Sequence, residues 1–319
     1  MTGHTATRGG MELITLGVAA GPAIRGRENG ISSAVVVDDV FYIVDFGLGC
    51  TRAAYEASLE GRQFRAGFIT HLHSDHITEL PGFLLWNWGE PVNGFTERVR
   101  ILGPGQDPDD VAAGRKLAGT AGLVSATFEA FSYDTAIRVT DEARPPLEEI
   151  VHVTELDEPA KGSAAAGEPF DVYEDDRITV SAILVDHPPV YPALAYRVTS
   201  DYGSITFSGD TAECGNLVKL ARGTDVLVHE AVNLDFYRGK GFDPTFIAHQ
   251  ACSHTTPAGA GRVAAAAGAG RLVLSHLAGA AEADYWSSRA RTEFDGPVDV
   301  ASSGARFTLS RQAVPAVPE

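Results

Sequence analysis

The segment "HLHSDH" places His71, His73, Asp75 and His76 within six residues, directly after the apolar run "GFIT". Neutral imidazole is the commonest protein ligand for zinc, and carboxylate is a harder partner for the same ion. His71 and His73 alternate, so an extended segment turns both to one face. Asp75 and His76 follow and can point to a second place. One catalytic metal takes three or four protein ligands and keeps a position for water. The segment therefore offers two ligands toward each of two sites and completes neither. Three further candidates stand where apolar runs end: His187 in "LVDHPP", Asp210 in "FSGDTAE" and His276 in "LVLSHL". Each opens into a loop, where layered sheets build their sites.

The elements that must carry these residues are legible in outline. "MELITLGVAAGP" and "SSAVVVDDVFYIVDFGLG" read as strands with a tight turn at Asp38-Asp39, and "CTRAAYEASLE" reads as a helix. "FRAGFITHLH" reads as a strand running into the histidines, and "ITELPGFLLWNWG" as a helix that Pro81 interrupts. "DPDDVAAGRKLAGTAGLVSATFEAF" reads as helical, and "DEARPPLEEI" as a turn. Short strands follow at "RITVSAILVDH", "LAYRVTS", "SITFSGDT" and "TDVLVHEA". Then come an alanine-rich helix in "TTPAGAGRVAAAAGAG", the strand "RLVLSH" and two closing strands in "VDVASSGARFTLS". Strands, helix and strands recur with no linker between them. The expectation is one domain of mixed α and β layers over 11–319, behind a flexible tail at 1–10. Residues 104–150 are the expected variable insertion, and Asp157 to Phe170 a small-residue loop.

Composition narrows the functional classes. The 319 residues are 44% hydrophobic, enough for a sizeable core, and carry a formal net charge of −17. Only four residues are lysines (Lys116, Lys161, Lys219, Lys240). Such a surface repels polyanions on average. The N-terminus lacks the apolar stretch of a secretory signal, and no run approaches a membrane span. Three scattered cysteines, Cys50, Cys214 and Cys252, fit inert packing in a reducing cytoplasm.

The ordered set "THLHSDH", "VDH", "SGDT" and "LSHL" resembles the metallo-β-lactamase fold superfamily over nearly the whole chain. The resemblance implies a four-layer αββα sandwich of two mixed β-sheets flanked by helices, with two metals at one sheet edge. It implies that His71, His73 and His187 hold the first metal. Asp75, His76 and His276 would hold the second, and Asp210 would bridge both. Two such metals clamp one hydroxide, which attacks an ester whose oxygen the metals polarise. Zinc suits the ligands; manganese or iron remains open because Asp75 and Asp210 add oxygen donors.

His254 in "CSHTTP" precedes a helix start at Thr255, Thr256 and Pro257. In the tRNase Z branch a histidine in a similar setting gives a proton to the leaving group. The resemblance carries that role to His254, with a capping neighbour or a substrate contact as alternatives. Glu230 in "VHEA" would orient it, and the catalytic set is His254, Asp75 and Glu230. His229 and Asp45 read as groups that fix ligands. Trp86 and Trp88 in "LLWNWG" read either as a buried helix end or as an aromatic wall beside the metals. His4, His152 and His249 read as surface residues.

"PALAYRV", "SHTTP" and the stretch Thr206 to Ala231 resemble the arylsulfatase-type branch, which shares the histidine cluster. With the negative charge and no basic arm, they favour a small-molecule ester substrate: an aryl sulfate, a phosphoester, or a carboxylic ester or lactone. The alternative is a tRNA 3′-processing endoribonuclease, tRNase Z, and the second a non-catalytic metal-binding or sensing protein. A di-iron redox enzyme of this fold would carry a glutamate in the cluster, which here reads His-x-His-x-Asp-His, and a flavin domain, so it is not the expected reading. The expected partners are the ester and, for assembly, a second copy of the chain. Nucleic acid and membrane are not expected.

Overall fold

The computed structural model describes residues 9–156 and 164–310. Most of the expected tail, with His4, and part of the loop at 157–170 lie outside the described residues. One sheet runs in the order β14-β1-β2-β3-β4-β5-β6. Its strands are β1 (Met11–Gly17), β2 (Ser32–Val37), β3 (Val40–Val44), β4 (Phe64–Phe68), β5 (Val99–Pro104), β6 (Val151–Leu156) and β14 (Ala305–Leu309). The other runs β13-β12-β11-β10-β9-β8-β7. It comprises β7 (Phe170–Glu174), β8 (Ile178–Leu184), β9 (Leu194–Ser200), β10 (Gly203–Phe207), β11 (Val226–Val232), β12 (Leu272–Ala278) and β13 (Val298–Val300).

Both sheets are mixed, and inner strands such as β3 and β11 are buried on both faces, which is why they read as nearly unbroken apolar runs. In β3, Tyr42 and Val44 join the core between the sheets with Phe68, Val180, Tyr196 and Val228. Phe41 and Ile43 face the other way, against Cys50, Leu80 and Phe83 of the helices on that side. In β11, Val228 faces the inter-sheet core while Leu227 packs with Ala260, Val263 and Trp286 of the outer helices. The result is the expected αββα sandwich.

Several expectations shift. β4 stops at Phe68, short of the histidines. The Asp45 carboxylate takes the Thr70 N–H at 2.8 Å, so the chain leaves the ladder there. Pro81 occupies the first turn of the helix Leu80–Trp86. No intrahelical partner is needed for its nitrogen there, so it starts the helix and does not interrupt it. The helical run after Asp107 divides into Pro108–Ala112 and Thr120–Ala130, with Gly114 at φ 72 between them. "DEARPPLEEI" ends in a short helix, Leu147–Ile150. Cys50 is buried as expected, but Cys252 is exposed and is not core packing. No helix among the described residues is long and apolar enough to cross a membrane.

Candidate metal centre

The seven expected ligands come from four separate strand ends and meet at one edge of the sandwich. His71, His73, Asp75 and His76 follow β4, and His187 follows β8. Asp210 follows β10, and His276 lies in β12. Carboxyl ends of parallel strands in layered α/β sheets are where ligand crevices form.

Two groups result. Nε2 of His71 is 2.9 Å from Nδ1 of His73, which is 3.4 Å from Nε2 of His187. Asp210 Oδ2 stands 3.9 Å from His71 Nε2 and 4.0 Å from His187 Nε2. On the other side, Asp210 Oδ1 is 3.4 Å from His76 Nε2 and 3.2 Å from His276 Nδ1. Asp75 Oδ2 lies 3.4 Å from His276 Nε2 and 3.7 Å from His76 Nε2. Each oxygen of Asp210 thus faces one group.

His76 Nε2, Asp210 Oδ1 and His276 Nδ1 are buried with no hydrogen-bond partner. Buried polar atoms left without partners cost about 1–3 kcal/mol each, so three converging ones mark a place for something they can ligate. A divalent cation with nitrogen and oxygen donors fits this set.

The imidazoles are held from behind. Thr70 Oγ1 donates to Asp45 Oδ2 at 2.8 Å and lies 3.2 Å from His71 Nδ1, which therefore donates to it. His76 Nδ1 donates to Asp45 Oδ2 at 2.8 Å, and His187 Nδ1 to the Ser253 carbonyl at 2.9 Å. With Nδ1 engaged, Nε2 is left to face the centre. Asp75 Oδ2 accepts the Gly21 N–H at 2.8 Å. Burial pushes His71 well below the ordinary histidine range, and pushes His187 down to about 4. Both are free bases at neutral pH. Asp210 is held well below the carboxylate range, because His276 and His76 outweigh the burial that opposes its charge.

Two backbone devices aim these groups. His276 has φ 43 and is the extra residue of a bulge, since Glu230 pairs Ser275 and Ala231 pairs Leu277. A bulge re-aims one side chain at the cost of a sparsely populated conformation. Asp45 has φ 62 just beyond β3. In "SGD", Gly209 at φ 59 leaves room for the Leu194 carbonyl, which a Cβ would meet at 2.6 Å.

His254 caps the helix Pro244–Ser253 and sits 4.0 Å, Nδ1 to Oδ2, from Asp210. Its Nδ1 donates to Glu230 Oε1 at 2.9 Å, which also accepts the Thr211 N–H at 2.7 Å. Burial opposes a charge on His254, but Glu230 and Asp210 prevail and push it up to about 9.

Of the two readings of the tryptophans, the buried one holds for Trp88 and the aromatic wall for neither; the expectations for His229 and His249 are corrected. Trp88 is fully buried and donates to the Pro145 carbonyl at 2.8 Å, with Arg144 5.2 Å above its ring. It packs under the 104–150 helices and forms no wall beside the candidate ligands; Trp86 is 77% exposed and lines a groove that contains none of them. His229 touches no ligand: strand alternation turns it to the helix layer, where Nδ1 bonds the Glu230 carbonyl at 2.9 Å. His249 is half-buried beside Ser253, not a surface residue. Thr70, Ser253, Thr211 and Gly21 were missed; their contacts span 19 to 66 positions and leave no local mark.

Asp45→Ala removes the acceptor that fixes both Thr70 and His76. Affinity for one of two zinc equivalents should fall about 10–100-fold, read by competition with a chromophoric chelator. Unchanged affinity would show that Asp45 serves folding alone.

A model of the beta-lactamase superfamily domain matches residues 118–277. Ribonuclease Z of Mycobacterium bovis (strain BCG / Pasteur 1173P2) is 30% identical over 298 residues, covering 91% of this chain and 95% of that protein. Ribonuclease Z of Mycobacterium sp. (strain KMS) is 32% identical over 300 residues, covering 91% and 93%. Among solved structures, the short form of human tRNase Z superposes with a TM-score of 0.63 at 21% identity, covering 93% of this chain and 99% of that one. The metallo-β-lactamase fold protein YhfI from Bacillus subtilis gives 0.65 at 17%, covering 94% and 99%.

Proposed function

We propose that this chain, which belongs to the metallo-β-lactamase superfamily in its tRNase Z-like branch, is a metal-dependent hydrolase that cuts RNA phosphodiester bonds as a ribonuclease Z does. The observation that carries this is the joint one: two clusters of potential ligands with Asp210 facing imidazoles of both, a His254–Glu230 pair beside them, and 30–32% identity to ribonucleases Z along nine-tenths of the chain. It reverses the expectation drawn from the net charge of −17. That sum describes the whole surface, whereas a phosphate meets only the mouth of the site. Arg25 and Arg27 stand on the loop whose Gly21 amide holds Asp75.

In this reading His71, His73, His187 and Asp210 hold one divalent ion, and Asp75, His76, His276 and Asp210 the other. Zinc suits the donors, with manganese or iron open. The ions supply Lewis acidity toward the phosphate and lower the pKa of water. In the hydrolysis, the oxygen of water bonds to phosphorus and the bond to the leaving oxygen breaks. His254 gives its proton from Nε2 to that oxygen, while Glu230 holds Nδ1–H and the ring's orientation. Asp75, kept ionised by His276 and His76 against its burial, accepts the proton of the attacking water. A cytoplasmic location belongs to the same proposal.

The net charge of −17 favours a second reading, turnover of a small ester. One panel separates the two: zinc- or manganese-loaded protein with a trailer-bearing precursor tRNA, an aryl sulfate, a lactone and bis(p-nitrophenyl) phosphate. Cleavage of the precursor at the trailer junction is expected. Turnover of the sulfate or lactone with intact precursor would overturn the ribonuclease reading.

A further inference from the structure

His249 belongs to neither ligand group and not to the His254–Glu230 pair, yet it lies beside them. It sits on the helix Pro244–Ser253, which ends at His254. Its ring centroid is 6.3 Å from that of His254, with the rings nearly perpendicular at 82°. Its Nδ1 is 3.2 Å from Ser253 Oγ. Ser253 Oγ spends its proton on the Pro188 carbonyl, so it can only accept from His249. That fixes the tautomer: Nδ1 carries the proton and Nε2 of the neutral ring is left as an acceptor. The partner it suits is a hydroxyl.

The neighbours on the helix point the same way. Phe246 lies three residues before His249, on the same side of the helix. Its ring is 5.3 Å from that of Phe242, which is 43% exposed. Phe242, just before this helix, and Phe246 on it also pack on the buried Tyr237 at 5.1 and 5.2 Å, and this aromatic cluster, an acceptor imidazole and a proton-donating imidazole follow one another along the chain. A nucleotide presents a base, a ribose hydroxyl and a leaving oxygen in the same order, and an aromatic face is what a base stacks on.

We propose that His249 Nε2 accepts a hydrogen bond from the ribose 2′-hydroxyl next to the leaving 3′-oxygen, so that His249 sets the preference for ribose over deoxyribose. This rests on the phosphodiester reading above with a 3′-oxygen leaving, the one leaving oxygen that has a 2′-hydroxyl beside it. The 2′-hydroxyl is the group by which a site tells RNA from DNA.

The test uses the zinc-loaded full chain, the trailer-bearing precursor tRNA, and the same strand with one deoxyribose at the nucleotide bearing the leaving oxygen. Wild type should lose about tenfold in kcat/KM on the deoxy strand, the worth of one hydrogen bond. His249→Ala should lose about the same on the RNA and nothing further on the deoxy strand. His249→Gln, with an amide oxygen to accept, should recover part of the preference. Metal content and turnover of bis(p-nitrophenyl) phosphate, which has no such hydroxyl, should stay at wild-type values in both variants. Equal loss on that diester would mean that His249 acts only by bracing Ser253 and His187, and would overturn the proposal. So would a wild type that cuts both strands equally, with the ribonuclease reading intact. A wild type that cuts neither strand overturns that reading, and this one with it.

Discussion

Asp210→Ala should leave the protein with fewer than two bound metal equivalents and lower its turnover of bis(p-nitrophenyl) phosphate by about a thousandfold or more. The expectation rests on how this one carboxylate divides its oxygens. Oδ2 faces His71 and His187, and Oδ1 faces His76 and His276, at 3.2 to 4.0 Å. Its oxygens thus reach imidazoles of both clusters, and with His254 and His276 it makes a further group of potential ligand atoms. Removing it subtracts one donor from each group together with a negative charge buried among five imidazoles. A thousandfold corresponds to about 4 kcal/mol of transition-state stabilisation. Asp210→Asn is the informative companion: it keeps the volume and one carbonyl oxygen but no charge, so it should retain more metal than the alanine variant and still be slow. Elemental analysis after gel filtration decides the point. Two equivalents retained in Asp210→Ala would refute the bridging role.

The candidate ligands are legible because metal chemistry restricts residue type and spacing at once. His-x-His-x-Asp-His has few other uses, and His187, Asp210 and His276 each follow an apolar run. The layers were legible for a related reason: sheets covered on both faces need apolar residues at successive positions, as in "VFYIV" of β3. What escaped was set by backbone conformation and by distant partners. The positive φ of His276 and Asp45 is a tertiary outcome, since neither residue type demands it. Trp88 and Trp86 are two residues apart, and nothing local tells which is buried; Arg144 and Pro145, more than 50 positions on, decide it. His249 was read as surface because its partner Ser253 is visible as one only once the residues between form a helix. Net charge is a poor guide to substrate for a different reason: it is a sum over the whole surface, while recognition takes place at one mouth of it.

His254→Ala should keep both metal equivalents and slow substrates in proportion to how poor their leaving group is. Esters releasing p-nitrophenolate need no proton and should lose only a few-fold. Those releasing an alkoxide or a ribose oxygen should lose about 10²–10⁴-fold, the usual worth of a positioned acid. The pH profile gives a second handle. Burial disfavours the charge on His254, Glu230 outweighs it, and the imidazolium persists to about 9. A raised histidine pKa means that the donor form is present at low pH and lost as pH rises through the folded value. The stability drawn from the pair follows the same sign: it is complete below the unfolded value of about 6.5 and disappears by about 9. Cations held at Asp210 would lower this ceiling by repulsion, so with metal loaded the alkaline limb of kcat/KM for an alkyl diester should fall below pH 9. Glu230→Gln removes the carboxylate 2.9 Å from Nδ1 and should move the limb down by about a further unit or more. The profile for p-nitrophenyl esters, which do not use the donor, should not follow it. A limb that stays in place in Glu230→Gln, or a uniform loss across the leaving-group series in His254→Ala, would remove His254 as the acid.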